Sequence, residues 1–316
     1  LVVFVPPDSI IPESIIEKYN LTYLKNGGRV GTTKLRGFIS QGLILDLPEG
    51  KFKVGDDVSK ILGITKWEPP VSQNHQQANV ISKKKLNPYF DKYTEIENIK
   101  NYKNIFEPGD MVVVTEKIHG SNWRAGNLPI VIDKTQPFIY RLKAKIKKLL
   151  GETHQFVYGS HNVQLHGKNK SNNYYGEDIW GKICAKYDMV NKIPKDYIVY
   201  GEVYGKGVQD LTYGLDDIDF MVFDVKYKGK YLGWNDLKTF CEEYDLPMVP
   251  VLYVGKFEED TLEKYTSGKS TICPKQIREG CVIKDFNEEQ HKRIGRKILK
   301  SISSDYLLRK NGTEFK

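Results

Sequence analysis

The run Met111-Val112-Val113-Val114-Thr115 constrains this chain more than any other feature: apolar and rich in β-branched residues, it reads as a strand buried in the interior. It leads directly into Glu116-Lys117-Ile118-His119-Gly120-Ser121-Asn122, so a lone cation stands where the buried strand gives way to a glycine turn. A solvated lysine, with a pKa near ~10.4, is protonated at neutral pH and attacks nothing until desolvation or neighbouring cations depress that value. The end of a buried strand can supply both conditions, which makes Lys117 a candidate nucleophile. Taken alone, Lys-x-His-Gly is an unspecific string, and Lys117 also reads as a solvated lysine before a turn.

Three later segments carry charge at the ends of strand-like runs. Tyr197-Ile198-Val199-Tyr200-Gly201-Glu202-Val203-Tyr204-Gly205 is β-branched and aromatic, with Glu202 held near its end between two glycines. Asp219-Phe220-Met221-Val222-Phe223-Asp224-Val225 is a second strand, in which a period of two puts residues 221, 223 and 225 on one face and offers an aromatic to stack on a base. Glu279-Gly280-Cys281-Val282-Ile283-Lys284-Asp285 is a third, with a carboxylate at its start and a lysine near its end, and Arg293-Ile294-Gly295-Arg296-Lys297-Ile298-Leu299-Lys300 follows as a cationic segment. Each has a structural reading as well: Glu202 as a strand-end charge, Phe223 as core, Glu279 and Lys284 as a cross-strand surface pair, the last run as a solvated face.

Their order and types point further. Lys-x-His-Gly, Gly-Glu-x-x-Gly, Phe-Asp-Val, Glu-Gly-x-Val-Ile-Lys and a basic stretch, in that sequence, resemble the lysine-adenylating nucleotidyltransferases, the superfamily of ATP-dependent ligases and mRNA capping enzymes, over the last two thirds of the chain. His119 with Ser121-Asn122 looks like the branch of phage-type RNA ligase 2. Upstream, Lys34-Leu35-Arg36-Gly37-Phe38-Ile39-Ser40-Gln41-Gly42-Leu43 and Leu62-Gly63-Ile64-Thr65-Lys66-Trp67-Glu68-Pro69-Pro70 look like the amino-terminal module of the Naegleria-type RNA ligases, in which an OB fold precedes the nucleotidyltransferase domain. The expected fold class is therefore α+β: an OB-like β-barrel over residues 1–71, a linker over 72–106, and over 107–316 a nucleotidyltransferase domain of antiparallel sheets with flanking helices.

The resemblance implies an ATP-dependent RNA ligase that seals 3′-hydroxyl and 5′-phosphate ends, with nicks in duplex RNA as the expected substrate. Its three steps would pass through AMP on Lys117 and then through adenylylated RNA. Such phosphoryl transfers depend on in-line positioning and on neutralising spread negative charge. Carried over by motif, Lys284 and one of Lys297 and Lys300, with Lys300 preferred, would contact the α-phosphate and depress the Lys117 pKa. Phe223 would stack on adenine and Glu116 would lie near its amino edge, with His119, Gly120 and Val282 in the same nucleotide site. Glu202 and Glu279 would contact ribose or hold Mg²⁺ or Mn²⁺, directly or through water. Asn122 and Arg124 would steer pyrophosphate or the RNA phosphate.

There are two departures from the pattern. Where related ligases place an arginine after a serine, this chain has Ser160-His161-Asn162; a neutral histidine binds phosphate weakly, Arg141 or Arg124 could substitute, and His161 also reads as a satisfied loop residue. The final motif offers Lys297-Ile298-Leu299-Lys300 in place of a Lys-x-Lys pair. A DNA ligase or capping guanylyltransferase is a rival using the same lysine chemistry, and a non-catalytic OB-containing nucleic-acid binding protein is a rival of another class.

Composition fits a nucleic-acid partner without identifying one. Lys and Arg number 48 against 40 Asp and Glu, a formal charge of +8, which favours a polyanion but does not separate nucleic acid from an acidic membrane surface. No apolar stretch approaches the ~20 residues that span a bilayer, so no membrane partner is expected. Cysteines 184, 241, 273 and 281 form no Cys-x-x-Cys pair and have no histidine at zinc spacing, so reduced thiols are expected. Leu1-Val2-Val3-Phe4-Val5-Pro6 reads as a first strand in a chain whose true start is missing or trimmed, with an intracellular, monomeric protein expected. Tyr140–Leu150 repeats apolar residues at helical spacing among cations that either follow a phosphate backbone or form a solvated face. The tail from Tyr306 to Asn311 is a candidate cap on the catalytic domain.

Overall fold

Short apolar runs broken by glycine and proline make short strands, and this is what the first part of the chain shows in a computed structural model that describes residues 1–24, 27–35, 38–67, 87–102, 104–134, 138–165 and 178–309. The chain divides into two compact units, Leu1–Val71 and Ser72–Lys316. In the first, β1 (Val3–Val5), β2 (Ser9–Ile10), α1 (Glu13–Lys18), β3 (Arg29–Val30), β4 (Thr32–Leu35), β5 (Phe38–Gln41), β6 (Leu43–Leu45), α2 (Ser59–Leu62) and β7 (Thr65–Lys66) enclose a core of Val3, Val5, Ile11, Ile15, Val30, Leu45 and Val58. Among the described residues these strands form three separate sheets, β1 with β6, β2 between β3 and β7, and β4 with β5, and no closed barrel. Strands of two to four residues offer too few hydrogen bonds to carry a continuous ladder around a barrel. Residues 36–37 and 68–70 of the two upstream segments lie outside the described residues, as do residues 72–86 and 103 of the expected linker and 310–311 of the tail.

The second unit contains β8 (Glu97–Asn98), β9 (Met111–Lys117), β10 (Ser121–Pro129), α3 (Phe138–Leu149), β11 (His154–Ser160), β12 (Gln164–Leu165), α4 (Ile179–Lys186), α5 (Met189–Lys192), β13 (Tyr197–Gly205), β14 (Ile218–Tyr227), β15 (Lys230–Tyr231), α6 (Trp234–Glu243), β16 (Val251–Lys256), α7 (Thr261–Thr266), β17 (Gly280–Asp285), β18 (Gln290–His291), β19 (Gly295–Arg296), β20 (Ile298–Ile302) and α8 (Ser304–Leu307). The valine run, β9, sits inside a five-stranded sheet of order β16-β9-β17-β20-β8. Its Val112 and Val114 pack with Cys281, Ile283 and Leu299 against Ile99, Ile105, Phe106 and Phe257. A six-stranded antiparallel sheet, β12-β11-β10-β13-β14-β15, turns Trp123, Ala125, Val199, Val203, Phe220, Val222 and Val225 toward Ile179, Ile183, Leu237 and Phe240 of the helices. One face of each sheet is thus covered, and on the opposite faces Leu128, Val157, Ile198 and Tyr200 of the six-stranded sheet share a buried cluster with Ile298 of the five-stranded sheet, Phe90 and Tyr93.

Three sequence expectations are revised. Residues 87–106, expected within the linker, are packed: Phe90, Tyr93, Ile99, Ile105 and Phe106 are buried, and β8 adds a parallel edge to β20. Their polar neighbours hid an apolar spacing too sparse to read as a periodic element. The common face expected for residues 221, 223 and 225 is broken by a β-bulge: Tyr200 pairs with Asp224 and Gly201 with Val222, leaving Phe223 as the extra residue and returning Val225 to the core that holds Val222. The helix expected over Tyr140–Leu150 forms, but Phe138, Leu142, Ile146 and Leu149 are exposed and only Ala144 is buried.

A fragment starting at residue 87 should therefore melt cooperatively, whereas one starting at residue 107 should not. The shorter one loses five buried apolar side chains worth ~1.5–3 kcal/mol each, comparable with the roughly 5–15 kcal/mol of a whole domain. Equal melting temperatures of the two fragments would show that residues 87–106 are dispensable to the fold.

Candidate active site

Alternation sets three lysines on the open wall of the five-stranded sheet: Lys117 lies in line with Thr115 on β9, Lys284 with Val282 on β17, and Lys300 with Ile298 on β20. The registers bring these side by side, since Val282 stands opposite both Thr115 and Lys300 while Lys284 stands opposite Ile298. On the six-stranded sheet Asn122 is directly opposite Glu202. All of these residues, together with Glu116 and Phe223, line one cleft of about 230 Å³.

Lys117 ends its strand with Nζ 2.6 Å from Oε1 of Glu279, which immediately precedes β17. The carboxylate is 2% exposed and the lysine side chain 28%, so the ammonium faces the cleft from a dry anionic seat. Glu202 stands beside both. Burial, reinforced by Glu279, pushes its carboxyl up to about 8, although Lys117 and the Gly120 N–H pull the other way. Gly120 is required by space: a Cβ there would sit 2.1 Å from the Val203 carbonyl oxygen. The glycine turn thus lets the chain press against β13 and bring Lys117 close to Glu202.

Phe223 shares its face of β14 with Met221, meets Tyr93 edge-on at 4.7 Å and borders the cleft. Glu116 is fixed by the Thr271 N–H, which donates to its Oε2 at 2.7 Å, while its buried Oε1 has no hydrogen-bond partner. Lys284 is buried between Asp224 at 3.5 Å and Glu288 at 3.4 Å. Burial alone would raise the Asp224 carboxyl, but Arg296 and Lys284 outweigh it and hold the group below its usual range. Arg296 also pairs with Glu288, and Tyr93 donates its hydroxyl to Asp224 at 2.8 Å.

Other predicted residues are placed elsewhere. Lys297 pairs with Asp110 away from the cleft, whereas Lys300 lines it. His119 is buried outside the cleft lining, 2.8 Å from Asp210 and 2.8 Å from the Tyr306 hydroxyl. Arg124 donates to the carbonyls of Ser160 and Phe90 and stacks on the Phe90 ring; burial lowers its pKa to about 10, so it stays charged in the interior. His161 does line the cleft, and burial together with Arg124 and Lys92 lowers its pKa, leaving a neutral ring at neutral pH. Arg141 lies on α3 and not in the lining. Sequence reasoning missed Tyr93, Thr94, Glu95 and Ile96, which line the cleft from the stretch expected as linker. It also missed the Asp224, Arg296 and Glu288 cluster behind Lys284, although the Asp of Phe-Asp-Val was a signal for it.

Among the described residues no three of His, Cys, Asp and Glu are grouped to hold a metal ion. Glu202 and the Asn122 Oδ1, which is buried with no hydrogen-bond partner, are nevertheless hard oxygen donors lining the cleft, and Glu279 adds a third just behind Lys117. This set fits Mg²⁺ or Mn²⁺ that completes its shell with water and phosphate oxygens, and does not fit a dedicated protein cage.

The model of the RNA ligase family matches residues 110–302. No curated protein matches the sequence. Among solved structures, the chain is similar to the Naegleria gruberi RNA ligase with PPi, at 25% identity and a TM-score of 0.70 over 97% of this chain and 85% of that one. It is also similar to a lysine-to-alanine variant of that ligase with ATP and Mn, at 23% identity and a TM-score of 0.68 over 97% and 86%. A lysine-to-methionine variant with AMP and Mn matches at 24% identity and a TM-score of 0.68 over 97% and 85%.

The Glu202 environment has a consequence for stability. A carboxyl raised to about 8 in the folded state and near 4.5 unfolded favours unfolding increasingly as pH rises between those values, because only the unfolded chain releases the proton. Glu202→Gln should therefore gain stability relative to the unaltered protein between about pH 5 and about pH 8, by roughly 3 kcal/mol. Chemical denaturation of both proteins across that range checks this, and a difference that does not change with pH would contradict it.

Proposed function

The chain belongs to the RNA ligase family, and we propose that it is an ATP-dependent RNA ligase that loads AMP onto Lys117 and uses it to join 3′-hydroxyl and 5′-phosphate RNA ends. The observation that carries this reading is the convergence of Lys117, Lys284 and Lys300 on one cleft with Glu202 and Phe223, while Glu279 seats Lys117 from behind the lining. Three cations on one wall suit a polyphosphate, and the aromatic suits a base. The ATP, AMP and Mn of the Naegleria gruberi structures support the same ligands here.

In the first step Lys117 Nζ attacks the α-phosphorus; the N–P bond forms as the bond to pyrophosphate breaks, and Glu279 Oε1, 2.6 Å away, is placed to take the ammonium proton. Lys284 and Lys300 steady the charge on the α-phosphate, Lys284 having Asp224 and Glu288 to keep it in place. Glu116 Oε1, an acceptor with its partner Oε2 already fixed, suits the amino group of adenine better than the carbonyl of guanine. Glu202, Glu279 and Asn122 would hold a divalent cation, which would supply neutralisation of phosphate charge. The RNA 5′-phosphate then attacks the lysine-bound phosphorus and frees Lys117, and the 3′-hydroxyl attacks the 5′-phosphorus and expels AMP.

Nicks in duplex RNA are the substrate we propose, with residues 1–71 acting as an OB-like module that supports sealing and the adenylation domain beginning at residue 87, so that it includes the cleft-lining stretch Tyr93–Ile96. No described helix is long and apolar enough to cross a membrane. The four cysteines are free, which fits a reducing, intracellular setting, and we read the protein as a monomer.

Sealing of a nicked RNA duplex tests the reading directly. Lys117→Ala and Lys300→Ala should each lower the rate by about 100-fold or more, while Lys297→Ala, whose lysine pairs with Asp110, should stay within about threefold. A sealing-competent Lys117→Ala protein would remove Lys117 as the nucleophile. Deleting residues 1–71 should slow sealing more than it lowers the melting temperature, and an unchanged rate would remove the role given to that module.

A further inference from the structure

The turn that carries the nucleophile is tied to the C-terminal end of the described chain. Both ring nitrogens of His119 are engaged: Nε2 lies 2.8 Å from Asp210 Oδ1 and Nδ1 lies 2.8 Å from the Tyr306 hydroxyl. The His119 backbone N–H donates to the Tyr213 hydroxyl at 2.7 Å. Asp210 is itself held by Arg309, whose Nε donates to Oδ2 at 2.7 Å and whose Nη2 donates to Oδ1 at 3.0 Å, a bidentate pairing. Arg309 also donates to the Tyr306 carbonyl at 2.7 Å and lies 3.5 Å over the Tyr306 ring. At the near end of this chain of contacts, Glu279 Oε2 is 3.9 Å from His119 Nδ1, and the Ser303 N–H donates to the Glu279 carbonyl.

None of Asp210, Tyr306 and Arg309 lines the cleft. A cluster made only for stability would need no histidine two residues from the nucleophile with both nitrogens specified from opposite sides. We propose that Arg309, Asp210 and Tyr306 are positioning residues that act through His119: they lock the Lys117–Gly120 turn so that Lys117 stays seated on Glu279 and aimed at the α-phosphate. The proposal rests on the lysine-adenylation reading above. It assigns the C-terminal segment to nucleophile alignment in the first step and not to nucleotide binding, since its side chains reach the turn and not the cleft. A small displacement of a reacting atom is enough to cost one to two orders of magnitude in rate.

The test uses the full chain with Tyr306→Phe, which keeps the buried ring and loses the hydroxyl, and with Arg309→Ala and Arg309→Lys. The maximal rate of covalent AMP loading from labelled ATP should fall roughly 10- to 100-fold in Tyr306→Phe and Arg309→Ala. The ATP concentration for half-maximal loading should change little, and sealing of pre-adenylylated RNA ends, which does not need Lys117 as a nucleophile, should stay near the unaltered rate. Arg309→Lys should recover part of the loading rate by keeping the charge without the bidentate fork. Loading at the unaltered rate in both Tyr306→Phe and Arg309→Ala would overturn the proposal. So would a parallel fall in loading, in sealing of pre-adenylylated ends and in melting temperature, which is the signature of a merely structural cluster. Absence of label on the unaltered protein would instead fail the lysine-adenylation reading, and the positioning role with it.

Discussion

The contact on which the site depends is the 2.6 Å pairing of Lys117 with Glu279. Glu279 is almost fully withdrawn from water, and a carboxylate in such a place is costly unless a cation and hydrogen bonds compensate it. Lys117 supplies the cation while keeping its own ammonium open to the cleft. Lys284 follows the same logic one strand away, seated between Asp224 and Glu288. Carboxylates hold these two cations in place, which keeps like charges from dispersing the wall that meets phosphate in the proposed reaction. Glu202, left with less compensation, holds its proton instead, with its carboxyl pushed up to about 8.

This arrangement follows from two sheets that each bury one face separately and share a second apolar cluster, from Tyr200 to Ile298, beside which the polar residues of the cleft gather. Backbone registers, which side chains cannot alter locally, place Lys117, Lys284 and Lys300 on neighbouring strands of one sheet and Asn122 opposite Glu202 on the other. Functional groups on strand interiors are held more precisely than groups on loops, as in-line phosphoryl transfer demands. Where regular alternation would have aimed a residue wrongly, the fold uses a defect: the bulge at Phe223 leaves that ring at the cleft and turns Val225 back into the core with Val222.

Much of this was legible in the sequence, and the parts that were not have specific causes. The valine run, the charged strand ends and the motif order located Lys117, Glu202, Glu279 and Lys284, and period-two alternation separates Lys300 from Lys297 once the β20 register is known. Alternation failed at Val225 because a bulge has no signature in residue types alone. Arg124 reads as a phosphate ligand by position but is an interior cation held by carbonyls, a difference set by tertiary packing against Phe90. The cleft wall from Tyr93 to Ile96 was missed because four residues of irregular backbone, flanked by polar chain, carry no periodicity. Nor could the link from Arg309 to His119 be read, since it joins residues nearly two hundred positions apart.

The central claim is that one lysine at the end of the valine strand carries the adenylate. Peptide mapping by mass spectrometry after incubating the purified protein with ATP and Mg²⁺ or Mn²⁺, without RNA, tests it most directly. The account predicts a single AMP on the peptide containing Lys117, released when pyrophosphate is added. An adenylate on any other residue, or none under either metal in protein first stripped with pyrophosphate, would contradict it.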